Sequence, residues 1–459
     1  MTERLVVIGA DAAGMSAASQ ARRRRSADDL AIVAFERGHH TSYSACGIPY
    51  WIGGAVSGPD ALVARTDAEH RARGIDLRLG TEVTEIDPDR GRVRTRDAYG
   101  RQEWTSYDHL VIATGAVPIR PPLPGIDAPG VHGVQTLDDG EAALAALDRG
   151  DVRRAVVVGG GYIGVEMAEA MLRHGLEVTL VDRNEQPMNT LDPDMGRLVR
   201  ADMEKLGIHI ASGSAARAVL TGPDGRARAV VTDEAEHPAD IVVLGLGVRP
   251  ATDIARAAGL PLGAYGGLLT DRAMRVRGAE RVWAGGDCVE VLNLVSGTQQ
   301  HVPLGTHANK QGRIIGTNIG GDYATFPGIV GTAVSKVCAV EIARTGLKES
   351  QARAAGLRFV TATVESTSRA GYYPEAGLMT VKAIAERGTG RLLGLQIVGR
   401  EGAAKRVDIG AVALTAGMTV DQMIGLDLGY APPFSPVWDP VLVAARKAAD
   451  AVAADLRAG

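Results

Sequence analysis

Two stretches of this chain repeat one pattern, and that pattern restricts the fold more than any other feature. Each runs strand, glycine turn, helix, strand, acid. The first is Arg4-Leu-Val-Val-Ile8, then Gly9-Ala-Asp-Ala-Ala-Gly14, a helix to about Arg25, and a strand from Leu30 to Phe35 ending at Glu36. The second is Ala155-Val-Val-Val158, then Gly159-Gly-Gly161-Tyr-Ile-Gly164, a helix to about His174, and a strand from Leu176 to Val181 ending at Asp182. Such a unit builds a parallel sheet covered by its helix. A helix N-terminus behind a glycine turn offers N–H groups and positive dipole to a pyrophosphate, and the acid receives ribose hydroxyls. The expected cofactor contacts of the first unit are Gly9, Ala12, Ala13, Gly14, Glu36 and Arg37. Those of the second are Gly159, Gly161, Tyr162, Ile163, Gly164 and Asp182.

Small residues at Ala10, Ala13, Gly14, Ala17, Ala18 and Ala21 recur at helical spacing, which lets the first helix lie close against its sheet. One departure stands out. Asp11 occupies the place of the second glycine in GxGxxG, so its carboxylate must point away from a phosphate or engage a bridging water. In the second unit Asp182 repels a 2′-phosphate, which predicts NADH; Arg183 beside it keeps NADPH open.

Composition excludes several classes. The 459 residues carry 50 Lys plus Arg against 54 Asp plus Glu, a net charge of -4, with no basic face for nucleic acid. No apolar run reaches the length of about 18 residues that a membrane span needs. Met1 to Arg4 leads directly into a strand without a signal-peptide pattern. Three scattered cysteines, Cys46, Cys288 and Cys338, form neither a disulfide framework nor a zinc cluster. His39 and His40 have no partners at ligand spacing, so no metal is expected. A cytoplasmic protein with reduced thiols follows as the expectation.

The C-terminal third changes character. Phe359 to Val364, Leu378 to Ile384 and Leu392 to Val398 alternate like strands of an antiparallel sheet. Helical patterns cover about Ala404 to Ala416 and Pro440 to Leu456. A proline-rich loop, Tyr430-Ala-Pro-Pro-Phe-Ser-Pro-Val-Trp-Asp-Pro440, lies between them.

Further segments carry a family resemblance. Tyr107-Asp-His-Leu-Val-Ile-Ala-Thr-Gly115-Ala-Val-Pro118 resembles the ATG segment of flavoproteins with two dinucleotide-binding domains, and Val282-Trp-Ala-Gly-Gly-Asp287 resembles their second FAD segment. The whole chain is similar to the pyridine nucleotide–disulfide oxidoreductases. The resemblance implies an α/β fold with two Rossmann-like domains, for FAD and NAD, and a C-terminal α+β dimerisation domain. It implies boundaries at 1–117 (FAD, first part), 118–245 (NAD(P)H), 246–325 (FAD, second part) and 326–459 (dimerisation). Thr114, Gly115 and Asp287 become FAD contacts. His307 touches the flavin or caps its helix, and Glu166 lies at the nicotinamide.

Paired-cysteine members carry Cys-x4-Cys. Here Ser42-Tyr-Ser-Ala-Cys46-Gly-Ile-Pro-Tyr50 has one cysteine, which resembles the coenzyme A-disulfide reductases, persulfide reductases and NADH oxidases. A thiolate near a helix N-terminus has a lowered pKa and is a ready nucleophile. Alone, it stores oxidation as a mixed disulfide or a sulfenic acid. The loop at Tyr430 and the segment Gly371-Tyr372-Tyr373-Pro374 are similar to two tyrosine segments of the coenzyme A-disulfide reductases. There a tyrosine crosses from the partner subunit to the active cysteine, which implies a homodimer with a shared site. Arg22, in the run Arg22 to Arg25, and Ser42 are the expected substrate contacts, with coenzyme A as one substrate. Cys288 and Cys338 are expected in the core.

Three departures qualify the resemblance. Ala45 replaces the usual Asn before the cysteine, Phe434 replaces a second tyrosine, and Ala12 stands where NADH peroxidases carry a histidine. The reading is an NAD(P)H-dependent flavoprotein reductase of a small disulfide or persulfide. The alternatives are an NADH oxidase, and an electron-transfer reductase or redox sensor acting on a protein partner.

Overall fold

The computed structural model of the chain describes residues 2–458. The first strand, Glu3–Ile8, pairs in parallel with Leu30–Phe35 on one side and His109–Ile112 on the other. Ile75–Arg78 and Val282–Ala284 complete a five-stranded sheet. Leu5, Val6 and Val7 are wholly buried because helices and loops cover both faces, as a parallel sheet requires. The second sheet places Arg154–Val158 between Glu177–Asp182 and Ile241–Leu244, with His209–Ser212 and Val131–His132 at its edges. The third is antiparallel: Ala333–Val337, Val340–Gly346, Leu392–Gly399, Leu378–Glu386, Phe359–Thr367, in that spatial order. Helices Ala403–Thr415 and Pro440–Ala458 accompany it.

The chain passes between the first two sheets twice. Ala116–Pro118 and Val248–Pro250 pair antiparallel at that crossing. Thr114 Oγ1 donates to Ala251 O there at 2.6 Å.

The small-residue stripe of the first helix, Ala12–Arg24, does more than meet the sheet. It also receives the helix Gly305–Ile319. A Cβ on Gly312 would lie under 3.0 Å from Ala13 O, and one on Gly316 would crowd Ala17 O in the same way. The helices therefore touch backbone to backbone. Gln20 Nε2 donates to Thr317 Oγ1 across the same seam at 2.9 Å, inside the core.

A buried charge cluster joins the antiparallel sheet to the second parallel one. Lys382 is 2% exposed. Its Nζ lies 3.1 Å from Asp192, 2.8 Å from Asp194 and 2.7 Å from Glu349. Gln396 donates to Asp192 Oδ2 at 2.7 Å and accepts from Asp192 N at 2.8 Å. Removing one partner of such a cluster leaves a buried charge uncompensated, which typically costs about 3–5 kcal/mol.

The helix seam gives a test. Gly312→Val inserts a branched side chain against Ala13 O, so the helices must separate beside the first glycine turn. We expect a loss of about 1–3 kcal/mol together with weaker flavin retention. Thermal unfolding and the ratio of flavin to protein absorbance read the two effects.

Candidate functional site

The first glycine turn is built by close backbone approach. Gly9 has φ +93°, and a Cβ there would collide with Ala113 O. Gly14 brings the helix down onto Gly9 O, where no side chain fits. Glu36 ties the turn from below: Oε2 accepts from Ala10 N at 2.9 Å and Oε1 from Gly38 N at 2.8 Å. Arg37 beside it is exposed.

Asp11 resolves the departure seen in the sequence by pointing away from the turn. Its Oδ1 accepts from Tyr43 N at 3.1 Å, and its side chain makes no cap bond to the helix it precedes. No side-chain cap closes the N-terminus of this helix at Asp11. Burial pushes the Asp11 carboxyl up to about 7; Tyr43 N opposes this, and Glu36 and Asp287 add to it. Asp287 is half-buried and also raised by burial, with His301 acting against it. An uncapped helix N-terminus and a desolvated carboxyl facing one cleft fit the pyrophosphate and the polyol chain of FAD. His307 lies in the first turn of Gly305–Ile319, and its Nδ1 approaches Val302 O at 3.5 Å. Gly115 has φ +67° and continues the turn after Thr114.

The second turn repeats the construction. Gly159 has φ +105° and approaches Gly245 O, while Gly164 sits on Gly159 O. Asp182 takes the part of Glu36. It is buried, and Oδ2 accepts from Gly160 N at 2.6 Å. Its Oδ1 accepts from Asn184 N at 2.8 Å and Asn184 Nδ2 at 2.7 Å. Gly161 precedes the helix Tyr162–Arg173, whose first residues are Tyr162 and Ile163, and supplies no side-chain cap. In both units the acid's first partner is the turn's own backbone, which the sequence pattern did not reveal.

Cys46 lies in the short turn Ala45–Gly47, which runs directly into the helix Ile48–Ile52. The residue is exposed, yet nearby atoms crowd its thiol. Desolvation first, then Glu166, Asp287 and Asp11, push the thiol up, opposite in direction to the lowering that a helix N-terminus gives.

Glu166 reaches toward the same region from the second unit. Its Oε1 accepts from Ser335 Oγ at 2.9 Å and from Tyr50 OH at 3.4 Å. Burial raises its carboxyl, against the pull of these two hydroxyls. The sequence reading gave Tyr50 and Ser335 no role. The four-residue spacing from Cys46 to Tyr50 is a signal that could have found the first. Nothing local marks Ser335, which arrives from the antiparallel sheet.

Other expected residues are placed differently. Arg22 is turned inward: its guanidinium donates to Arg25 O at 3.1 Å, Leu30 O at 2.7 Å and Gly74 O at 3.1 Å. These three carbonyls take up its guanidinium at the lower end of the sheet. Ser42 has φ +48°, and its Oγ lies 2.9 Å from His70 Nε2. Burial drives the fully buried His70 down to about 4, so this is a neutral imidazole bracing the loop. Cys288 is buried as expected, donating to Gly285 O at 3.3 Å. Cys338 is not core. It sits half-exposed in a hairpin turn with φ +49°.

Tyr372 and Tyr430 stand together on the C-terminal domain, 77% and 49% exposed. Desolvation and the Tyr430 hydroxyl push the Tyr372 phenol up. Among the described residues no hydrogen bond joins either tyrosine to the Cys46 loop. Phe434, Val437 and Trp438 are exposed beside Tyr430.

Asp11 yields a pH prediction. Its folded pKa of about 7 exceeds the ordinary 3.8, so its contribution to stability is complete below about pH 4 and is lost as pH rises to about 7. Asp11→Asn keeps an acceptor for Tyr43 N and removes that loss. Flavin-free Asp11→Asn is expected to exceed the parent by on the order of 2–4 kcal/mol at about pH 8, with the gap closing toward about pH 4. Urea unfolding at several pH values checks this, and a gap that does not change with pH would contradict it.

Comparison with known proteins agrees with this geometry. The chain matches the pyridine nucleotide-disulphide oxidoreductase family over residues 3–312 and that family's dimerisation domain over residues 332–440. It is 37% identical over 448 residues to the NAD(P)H coenzyme A polysulfide/persulfide reductase of Pyrococcus horikoshii, covering 97% of this chain and 98% of the relative. It is 34% identical over 447 residues to an NADH oxidase of Methanocaldococcus jannaschii, covering 97% and 98%. The solved NAD-dependent persulfide reductase from A. fulgidus superposes with a TM-score of 0.94 at 38% identity, covering 99% of this chain and 84% of that one. The chain belongs to the pyridine nucleotide-disulphide oxidoreductase family.

Proposed function

We propose that the protein uses NADH to reduce a low-molecular-weight disulfide or persulfide at Cys46, with FAD between them. One observation carries the reading. The single exposed cysteine lies on a segment tied to both nucleotide units, to Asp11 of the first through Tyr43 N and to Glu166 of the second through Tyr50 OH. Bound FAD supplies two-electron transfer from the nicotinamide to sulfur. Glu36, Thr114 and Asp287 would hold and orient it, and the turn from Gly159 to Gly164 with Asp182 would hold NADH.

The rest belongs to the thiol. Deprotonated Cys46 attacks one sulfur of the substrate, the S–S bond breaks, and the departing thiolate takes up a proton. The mixed disulfide left on Cys46 is returned to thiolate and free thiol by two electrons and a proton. Tyr430 and Tyr372 are suited to supply that proton or to hydrogen-bond the sulfur from a partner subunit. Their exposure beside Phe434, Val437 and Trp438, on a domain of the dimerising type, supports a homodimer with a shared site.

A coenzyme A substrate needs a cation for its phosphates. Arg22 is unavailable, Arg24 pairs with Asp322 at 3.0 Å, and Arg25 binds Glu3 and Asp29 O. Arg23 is exposed and braced only by Gln20 Oε1, at 3.1 and 2.7 Å. We therefore place the phosphate contact at Arg23.

The deciding experiment is NADH oxidation by the FAD-loaded protein without air, with coenzyme A disulfide, other small disulfides and persulfides offered in turn. Turnover with one of them is expected, and Cys46→Ser should retain FAD while losing at least about a hundredfold in rate. Undiminished turnover in Cys46→Ser would overturn the mechanism. Turnover only in air would move the reading to an NADH oxidase, as the Methanocaldococcus relative is named. Arg23→Ala should raise KM for coenzyme A disulfide and leave KM for small uncharged disulfides unchanged.

A further inference from the structure

Three separate parts of the chain meet at one carboxylate oxygen. Tyr50 comes from the segment carrying Cys46, Glu166 from the second nucleotide unit, and Ser335 from the antiparallel sheet. Both hydroxyls donate to the same atom, Glu166 Oε1. Ser335 is 6% exposed, so water does not readily replace it. Cys46 and Tyr50 are four residues apart on consecutive helical turns, and that spacing puts two side chains on one face about one turn apart.

The second unit also clamps the far end of this segment. His174 Nε2 lies 2.6 Å from Ile52 O, and a Cβ on Gly53 would touch Ala170. Helix Tyr162–Arg173 and the Cys46 segment are therefore fixed in register. Charge placed at Glu166 is charge placed at a constant distance from the sulfur.

The neighbouring acid, Glu169, is buried, accepts from Cys338 N at 2.6 Å, and lies 3.6 Å from Arg173. Its charge adds to the burial that raises Glu166, so the two hydroxyls on Glu166 act against both. The titratable groups facing Cys46 are Glu166, Asp287 and Asp11. Those facing Tyr50 are Glu166, Glu169 and Cys46 itself. Asp11 holds Tyr43 N, before the sulfur, and Glu166 is the acid bonded to the helix Ile48–Ile52 that follows it.

We propose that Tyr50 is a positioning residue that acts through Glu166: with Ser335 it keeps the Glu166 carboxylate ionised and aimed at the Cys46 turn, and so tunes the reactivity of the sulfur from the second nucleotide unit. The inference rests on Cys46 being the reacting thiol. Its physical content is a chain of two links. A hydroxyl donor favours the ionised carboxylate, and the ionised carboxylate disfavours the thiolate. Losing the donor therefore makes the thiolate easier to form.

The test reads the thiol directly. The FAD-loaded protein is reduced with dithiothreitol, freed of it without air, and treated with iodoacetamide across a range of pH. Alkylation at Cys46 is followed by peptide mapping, because Cys338 is partly accessible and Cys288 is not. The midpoint is the readout, since thiolate nucleophilicity itself changes with pKa. Glu166→Gln is expected to move the midpoint down by on the order of one pH unit. Tyr50→Phe should move it the same way by less, and Ser335→Ala likewise. In the Glu166→Gln background, Tyr50→Phe should add nothing, because its effect passes through the missing charge.

A Tyr50→Phe shift that persists undiminished beside Glu166→Gln would overturn the proposal, and so would an unchanged midpoint in either Glu166→Gln or Tyr50→Phe alone. Flavin retention in each variant reports intact folding. Failure of the functional reading shows separately, as turnover that survives Cys46→Ser.

Discussion

Backbone-to-backbone contact at the glycine turns is the constraint on which the rest of the structure depends. Gly14 rests on Gly9 O and Gly164 on Gly159 O, at separations no Cβ permits. Each contact lets a helix rise at once from a strand and point its N-terminus at the space above the sheet. The same economy of side chains continues down the first helix. Gly312 and Gly316 bring Gly305–Ile319 onto it at equally short range. The second FAD segment is thereby fixed against the first, and Asp287 comes to face Asp11 and Glu36 although well over two hundred residues separate them in the chain.

From that frame the sulfur chemistry follows as a matter of placement. Cys46 has no resolving cysteine, and its surroundings carry negative charge. Burial and the nearby carboxyl groups push the thiol above its ordinary pKa. Glu166 is the natural lever because it belongs to a different domain from the sulfur. The Lys382 cluster and the Ser335 bond show how firmly the antiparallel domain grips that second unit.

Much of this was legible in the residues. The two repeated units, their acids, the ATG and second FAD segments and the lone cysteine all announced themselves through local spacing. The alternation at Phe359 to Val364, Leu378 to Ile384 and Leu392 to Val398 marks three strands that the structure extends to Thr367, Glu386 and Gly399. Other features were hidden for identifiable reasons. Arg22 and Arg23 are neighbours of one type, and only the packing against Leu30 O and Gly74 O turns the first inward. Cys338 sits in an apolar stretch, yet it occupies the turn of a hairpin. Burial of the Cys46 thiol, and the carboxyl groups that Glu166, Asp287 and Asp11 bring to it from separate segments, leave no mark in the local spacing.

The sequence by itself determined the architecture and the two glycine-turn cradles. These follow from periodicity, from turns that only glycine can make, and from residues close together in the chain. The tertiary structure decided which donors are left for a ligand, how strongly the thiol is held protonated, and which side chains share a proton acceptor. Those properties are sums over neighbours from separate segments. Tyr50, Glu166 and Ser335 lie more than a hundred residues apart in succession, and no local pattern contains the oxygen on which they meet.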